Sequence, residues 1–166
     1  MLSLPRVLAP IDFSGVSRCV IDQAIVMARA LNARLVLLSV VQLPVLLDTG
    51  VAESDLPAGF YAEAAKEATT RLAALQRQLR DEGVTAHAIH KVGAPGEQIV
   101  EQAERLEADC IVMGSHGHGA LYDLFIGSTT MRVLKQATCS VVIVPRARAI
   151  VRDRSTTAEQ RQAVQV

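Results

Sequence analysis

The feature that most constrains this chain is the regular alternation of short apolar runs with longer stretches patterned as helices. Arg6 to Ile11 (RVLAPI) leans towards β structure and ends at Asp12. Ser14 follows as a good N-cap, and Val16, Val20, Ala24, Met27 and Leu31 recur at helical spacing. Asn32 is placed to end that helix in a left-handed turn. Arg34 to Val41 (RLVLLSVV) is nearly all apolar, as expected of a strand covered on both faces. A second helix is expected from about Ala58 to Glu82, with Ala68, Leu72, Leu75 and Leu79 as its apolar stripe. Glu67 and Arg71 support it at i,i+4, and Gly83 stops it. Val84 to Val92 alternates more weakly and carries His87, His90 and Lys91, the pattern of an edge strand. Gly93-Ala94-Pro95-Gly96-Glu97 opens a third helix with Pro and an acid in its first turn; Ile99, Ala103 and Leu106 face inward. Cys110 to Met113 is a short buried strand, a glycine-rich stretch runs from Gly114 to Gly127, and a helix is expected over about Ser128 to Ala137. Ser140 to Val144 (SVVIV) is the last strand, closed by Pro145.

The order β-α-β-α-β-α-β-α-β predicts a parallel sheet, doubly wound, with helices on both faces. A chain of 166 residues, half of them apolar, suits one domain with a substantial core. We expect that domain over 1–145, followed by a tail over 146–166 whose five arginines face only Asp153 and Glu159. The tail reads as a solvated end. Between Gln42 and Pro57, Pro44 and Gly50 interrupt any pattern and leave a long loop, a kind of segment more often functional than idle. Seventeen basic and seventeen acidic side chains balance, which argues against nucleic-acid binding driven by bulk charge. Aromatics are 3% of residues and Trp is absent, so stacking platforms for bases or sugars are not expected. No apolar run approaches the roughly 20 residues of a membrane span, and Met1 to Asp12 does not read as a signal peptide. Cys19, Cys110 and Cys139, odd in number and each within an apolar stretch, read as buried reduced thiols of a cytoplasmic protein.

In open parallel sheets a ligand sits beyond the carboxyl ends of the strands, where the winding reverses. Asp12, Val40 and Gly114 fall at such ends. After the fourth strand come Gly114-Ser115-His116-Gly117-His118-Gly119 and then Gly127-Ser128-Thr129-Thr130. Glycines let amide groups approach a ligand, and the helix beginning at Ser128 offers free amides, a positive dipole end and three hydroxyls to an anion. A Walker loop does not fit, because Ala120 and Leu121 follow Gly119 and no lysine occurs before Lys135. A dinucleotide fingerprint also fails, since the first turn reads Asp12-Phe13-Ser14-Gly15.

Gly114, Gly117, Gly127 and Ser128 match Gly-x2-Gly-x9-Gly-Ser without a gap. With the opening VLAPIDFS, Val40 ending the second strand, the KVGAPGEQIV turn and the closing SVVIVP, the chain resembles the universal stress protein family from Leu4 to Pro145. The full glycine signature is that of its ATP-binding branch. The resemblance implies an adenine nucleotide alpha-hydrolase-like fold with strand order 3-2-1-4-5. It also implies a site for ATP or another adenine nucleotide with Mg²⁺. Pro10 and Asp12 would border adenine and ribose, Val40 would offer backbone hydrogen bonds to adenine, and Met113 would line the floor. Gly114 would approach the ribose and first phosphate, and Gly117, Gly127, Ser128 and Thr129 would hold the distal phosphates. A homodimer paired through the fifth strand (Ser140, Val141, Val142, Ile143, Val144) is implied as well, with a physical motive in the apolar edge. The signature loop carries no cation, so compensation for a triphosphate is expected from Mg²⁺, the helix terminus or another chain.

His116 and His118 lack the spacing of a metal pair, and Cys139 has no partner base, so neither metal nor nucleophilic chemistry is expected. Asp12 has a second role open to it, that of capping the first helix. The function expected is nucleotide-dependent regulation in a stress response, with at most slow hydrolysis. The alternatives are a dimeric scaffold of the same fold without nucleotide, and an adenylating or ATP-pyrophosphatase enzyme. The enzyme reading would need a Ser-Gly-Gly-x-Asp-Ser or His-Ile-Gly-His motif, and the chain has neither.

Overall fold

The computed structural model describes residues 4–42, 60–115 and 126–145. Nine elements follow one another: β1 (Arg6–Pro10), α1 (Ser17–Ala30), β2 (Arg34–Val41), α2 (Phe60–Asp81), β3 (Ala86–Val92), α3 (Pro95–Arg105), β4 (Cys110–Gly114), α4 (Ser128–Gln136) and β5 (Ser140–Val144). The strands pair in parallel, in the order β3-β2-β1-β4-β5. The order steps outward from β1 through β2 to β3, then returns across β1 to β4 and β5. Its switch point lies between β1 and β4.

Alternation along the strands sends side chains to two separate apolar cores. Val7 and Ala9 of β1, Leu35 and Leu37 of β2, and Cys110 and Val112 of β4 face one side. There they pack against Val20 and Ala24 of α1 and Leu72 and Leu79 of α2. Leu8, Val36, Leu38, Ile111 and Met113 face the other side, against Ile99 and Ala103 of α3 and Val133 of α4. Near-continuous apolar strands are what two buried faces require. The loop expected from 42 to 57, most of the glycine-rich stretch and the tail expected over 146–166 lie outside the described residues.

Local chemistry ends each helix. Asn32 takes the left-handed conformation at φ 49°, as its place after α1 predicts, and Gly83 does so after α2 at φ 77°. Pro95 occupies the first turn of α3, where its missing N–H costs nothing. The start of α1 differs from expectation. Its N-cap is Val16, not Ser14. The Asp12 carboxylate takes the Ser14 N–H and the Ser17 hydroxyl, both at 2.9 Å, and holds a turn ahead of the helix. The Ser14 hydroxyl is left buried without a partner.

Candidate functional site

The carboxyl ends of β1, β2 and β4 and the start of α4 open onto one cleft of about 660 Å³. That falls within the range of about 300–1,000 Å³ typical of small-molecule sites. Pro10, Asp12, Val40, Met113, Gly114, Gly127, Ser128 and Thr129 all line it. Gly117, the remaining expected site residue, lies outside the described residues, as do His116 and His118.

Each wall has a local cause. Met113 is 4% exposed and fixed in the core beneath the cleft. Val40 is placed by register. The Ile11 N–H donates to the Leu38 carbonyl at 2.8 Å, and the Gly93 N–H to the Val41 carbonyl at 3.0 Å. Leu38 therefore turns its peptide groups towards β1 and Val41 towards β3. By the alternation of the ladder, Val40 directs its amide and carbonyl to the β1 side, beyond the last β1–β2 pair at Pro10 and Leu38. Val40 lines the cleft at that point.

At the opposite end, Gly127 is the N-cap of α4, and the first intrahelical bond runs from the Met131 N–H to the Gly127 carbonyl at 2.9 Å. The amides of Ser128, Thr129 and Thr130 consequently have no acceptor within the helix. The three hydroxyls expected there divide two to one. Thr130, 2% exposed, donates its hydroxyl to the Gly114 carbonyl at 3.0 Å and so ties α4 to the end of β4. Ser128 and Thr129 remain on the cleft wall. Gly127 sits at φ −62°, ψ 154°, a conformation open to any residue. Left-handed backbone is therefore not the reason for glycine at that position.

Asp12 does not cap α1, whose N-cap is Val16; its Oδ1 organises the turn ahead of the helix, and the residue lines the cleft. Phe13 beside it takes φ 60°, a conformation costly for a bulky side chain. Sequence reasoning missed the α2 wall altogether. Glu67, Ala68 and Arg71 line the cleft, and the Arg71 guanidinium lies 4.4 Å from the centre of the Phe13 ring. The available signal was geometric. A helix following β2 in a parallel sheet begins at the carboxyl ends, so its early turns border whatever those ends hold.

Among the described residues no group of three or more His, Cys, Asp or Glu side chains gathers to hold a metal, and no helix is long and apolar enough to cross a membrane. The cysteines are all free thiols. Cys110 is buried, as expected, but Cys19 and Cys139 are only half-buried. Burial pushes the Cys110 thiol above its ordinary value of 9.0, and Cys139 and Asp109 add to the effect. Cys139 is raised as well, again chiefly by burial. Thiols held protonated in this way are poor nucleophiles.

Strand order, crossovers and a cleft at the switch point define a doubly wound α/β protein of the adenine nucleotide alpha-hydrolase-like class. The model of the universal stress protein family matches residues 4–145, and the chain belongs to that family. Universal stress protein Sll1388 of Synechocystis is 30% identical over 156 residues, covering 84% of this chain and 96% of the relative. Universal stress protein MJ0577 of Methanocaldococcus jannaschii is 37% identical over 81 residues, a match spanning 49% of this chain and 50% of that one. The solved structure of MJ0577 superposes with a TM-score of 0.75 at 26% identity, over 89% of this chain and 100% of that chain. A universal stress protein solved in complex with cAMP shares the fold at a TM-score of 0.63 and 24% identity, over 87% of this chain and 100% of its own.

Proposed function

We propose that this chain is a cytoplasmic, nucleotide-dependent regulatory protein that binds ATP, or another adenine nucleotide, in the cleft at the strand ends. One observation carries the reading: three strand ends and an open helix N-terminus converge on a single cleft, with polar backbone at both extremes. Val40 would meet the adenine edge through its main chain, with Pro10 beside it and Met113 below. The Asp12 carboxylate, already oriented by two hydrogen bonds, would accept from a ribose hydroxyl. Gly114 would lie at the first phosphate, and Gly117, Gly127, Ser128 and Thr129 would hold the distal ones through amides and hydroxyls. A universal stress protein of this fold has been solved in complex with cAMP, an adenine nucleotide.

Mg²⁺, where bound, would spread the charge of the phosphates. The protein's own contribution is to orient the nucleotide and to present the positive end of α4. Phosphoryl transfer also needs a positioned base or water-orienting group and a cation at the terminal phosphate. The described residues around Ser128 supply neither, so turnover is at most slow. We assign binding to residues 1–145, give the tail over 146–166 no part in it, and expect a homodimer paired through β5.

Titration calorimetry with ATP, AMP and cAMP, each with and without Mg²⁺, tests the proposal. Saturable binding of at least one nucleotide near one per chain is expected. Absence of heat with all three would leave the nucleotide-free scaffold instead, and phosphate release at many turnovers per minute would favour an enzyme.

A further inference from the structure

One charged wall of the cleft has no part in the reading above. Arg71 stands on α2 between buried Ala68 and Leu72, and its guanidinium lies over the Phe13 ring, 4.4 Å from the centroid. Glu67 holds it from one helical turn away, Oε1 to Nη1 at 3.5 Å, and all three side chains line the cleft. Helix support alone does not account for this, since exposed pairs at that spacing contribute little. Phe13, moreover, is kept in a left-handed conformation that a bulky residue adopts only when its surroundings hold it there.

The wall's place in the fold says which part of a ligand it meets. Helix α2 packs on β2 and β3, whereas the start of α4 is tied to the end of β4. Two strand spacings, about 10 Å, separate β2 from β4. Arg71 is thus on the Val40 side of the cleft, away from the helix terminus suited to phosphate. Glu67 balances its charge, which suits contact with a neutral group better than with a polyanion.

We propose that Arg71 is the base clamp of this cleft: its planar guanidinium, braced by Phe13 and Glu67, stacks on the purine whose edge meets Val40. Phe13 and Glu67 act as positioning residues. The inference rests on the adenine-nucleotide reading. It adds to that reading a residue outside the glycine signature and a contact made by a planar cation rather than by a point charge.

Calorimetry on the full chain with AMP, and competition of ATP by inorganic tripolyphosphate, separate the outcomes. R71A is expected to weaken AMP and ATP about tenfold, roughly 1.4 kcal/mol, while tripolyphosphate competes as before. R71K is expected to recover little of the loss, because an ammonium keeps the charge but not the plane. F13L, which takes away the ring beneath the guanidinium and keeps an apolar side chain against the core, is expected to weaken AMP severalfold and carries the comparison if R71A fails to fold. Unchanged AMP affinity in both R71A and F13L overturns the clamp, as does an equal loss for tripolyphosphate or full recovery in R71K. A wild-type chain that binds none of AMP, ATP and cAMP overturns the nucleotide reading itself, and the clamp with it.

Discussion

Thr130 is 2% exposed, and its hydroxyl reaches both the Gly114 and Ser115 carbonyls, at 3.0 and 3.3 Å. It ties the first turn of α4 to the end of β4, joining the two walls at that end of the cleft. Thr130→Val keeps the shape but takes the hydroxyl donor from the half-buried Gly114 carbonyl, while the Ser115 carbonyl keeps the Gly127 N–H at 3.0 Å. The expected cost is about 1–2 kcal/mol, read as a Tm lower by a few degrees. Nucleotide affinity should fall as well, although the side chain itself faces the protein. Unchanged stability would mean that the Gly114 carbonyl finds another donor. Asp12 acts in the same way, through the backbone it fixes: two hydrogen bonds set the turn that carries Phe13 towards Arg71. Neither role is readable from the letters, because each depends on which carbonyl or amide the fold brings within 3 Å.

At the scale of elements, α3 and α4 meet through Gly96. A Cβ placed there would come within 2.7 Å of the Arg132 Cδ and 3.1 Å of its Cβ, and the same arginine bonds Glu97 Oε1 at 2.6 Å. Two effects oppose each other in Gly96→Ala: helix propensity favours alanine by up to about 1 kcal/mol, and displacing Arg132 costs more than that. Urea denaturation should therefore show G96A destabilised by about 1 kcal/mol. In an R132A background, which removes the 2.7 Å contact but keeps the Cβ at 3.1 Å, the cost of the same change should shrink towards zero, a coupling of about 1 kcal/mol. Additive effects would refute the packing account. The helices and strands themselves were legible in the sequence, because buried faces enforce a 3.6-residue period in one and apolar runs in the other. The start of α1 was not, since the Asp12 carboxylate outcompeted Ser14 for the turn. The glycine signature placed Gly114 and Gly127 on the cleft by spacing, although Gly127 itself is in an ordinary extended conformation. The α2 wall was missed, because Arg71 reads locally as one half of an exposed helix pair.

For the whole molecule the open question is the outer edge of the sheet. β5 pairs with β4 on one side, and within the described residues no strand lies on the other. The Ser115 N–H donates to the Val144 carbonyl at 3.0 Å, so Val144 and Val142 turn their peptide groups inward, while Val141 and Ile143 turn theirs outward. A dimer built by pairing β5 with its copy should accordingly be sensitive to proline at an outward position. Ile143→Pro is expected to leave a folded monomer by sedimentation equilibrium, because edge strands tolerate proline, whereas Val142→Pro should unfold the chain. A dimer persisting in I143P would place the interface elsewhere. The order of elements, the parallel winding and the strand ends that border the cleft can all be read from the letters alone. These follow from periodicity and from the need to bury both faces of the sheet, which are local patterns summed along the chain. Only the tertiary structure decided which side chains of α2 look into that cleft, which hydroxyl is spent on holding α4, and which backbone groups of Val40 turn to the open side. Those depend on the register and apposition of elements far apart in the chain, and such distances are set by packing, which no local pattern encodes.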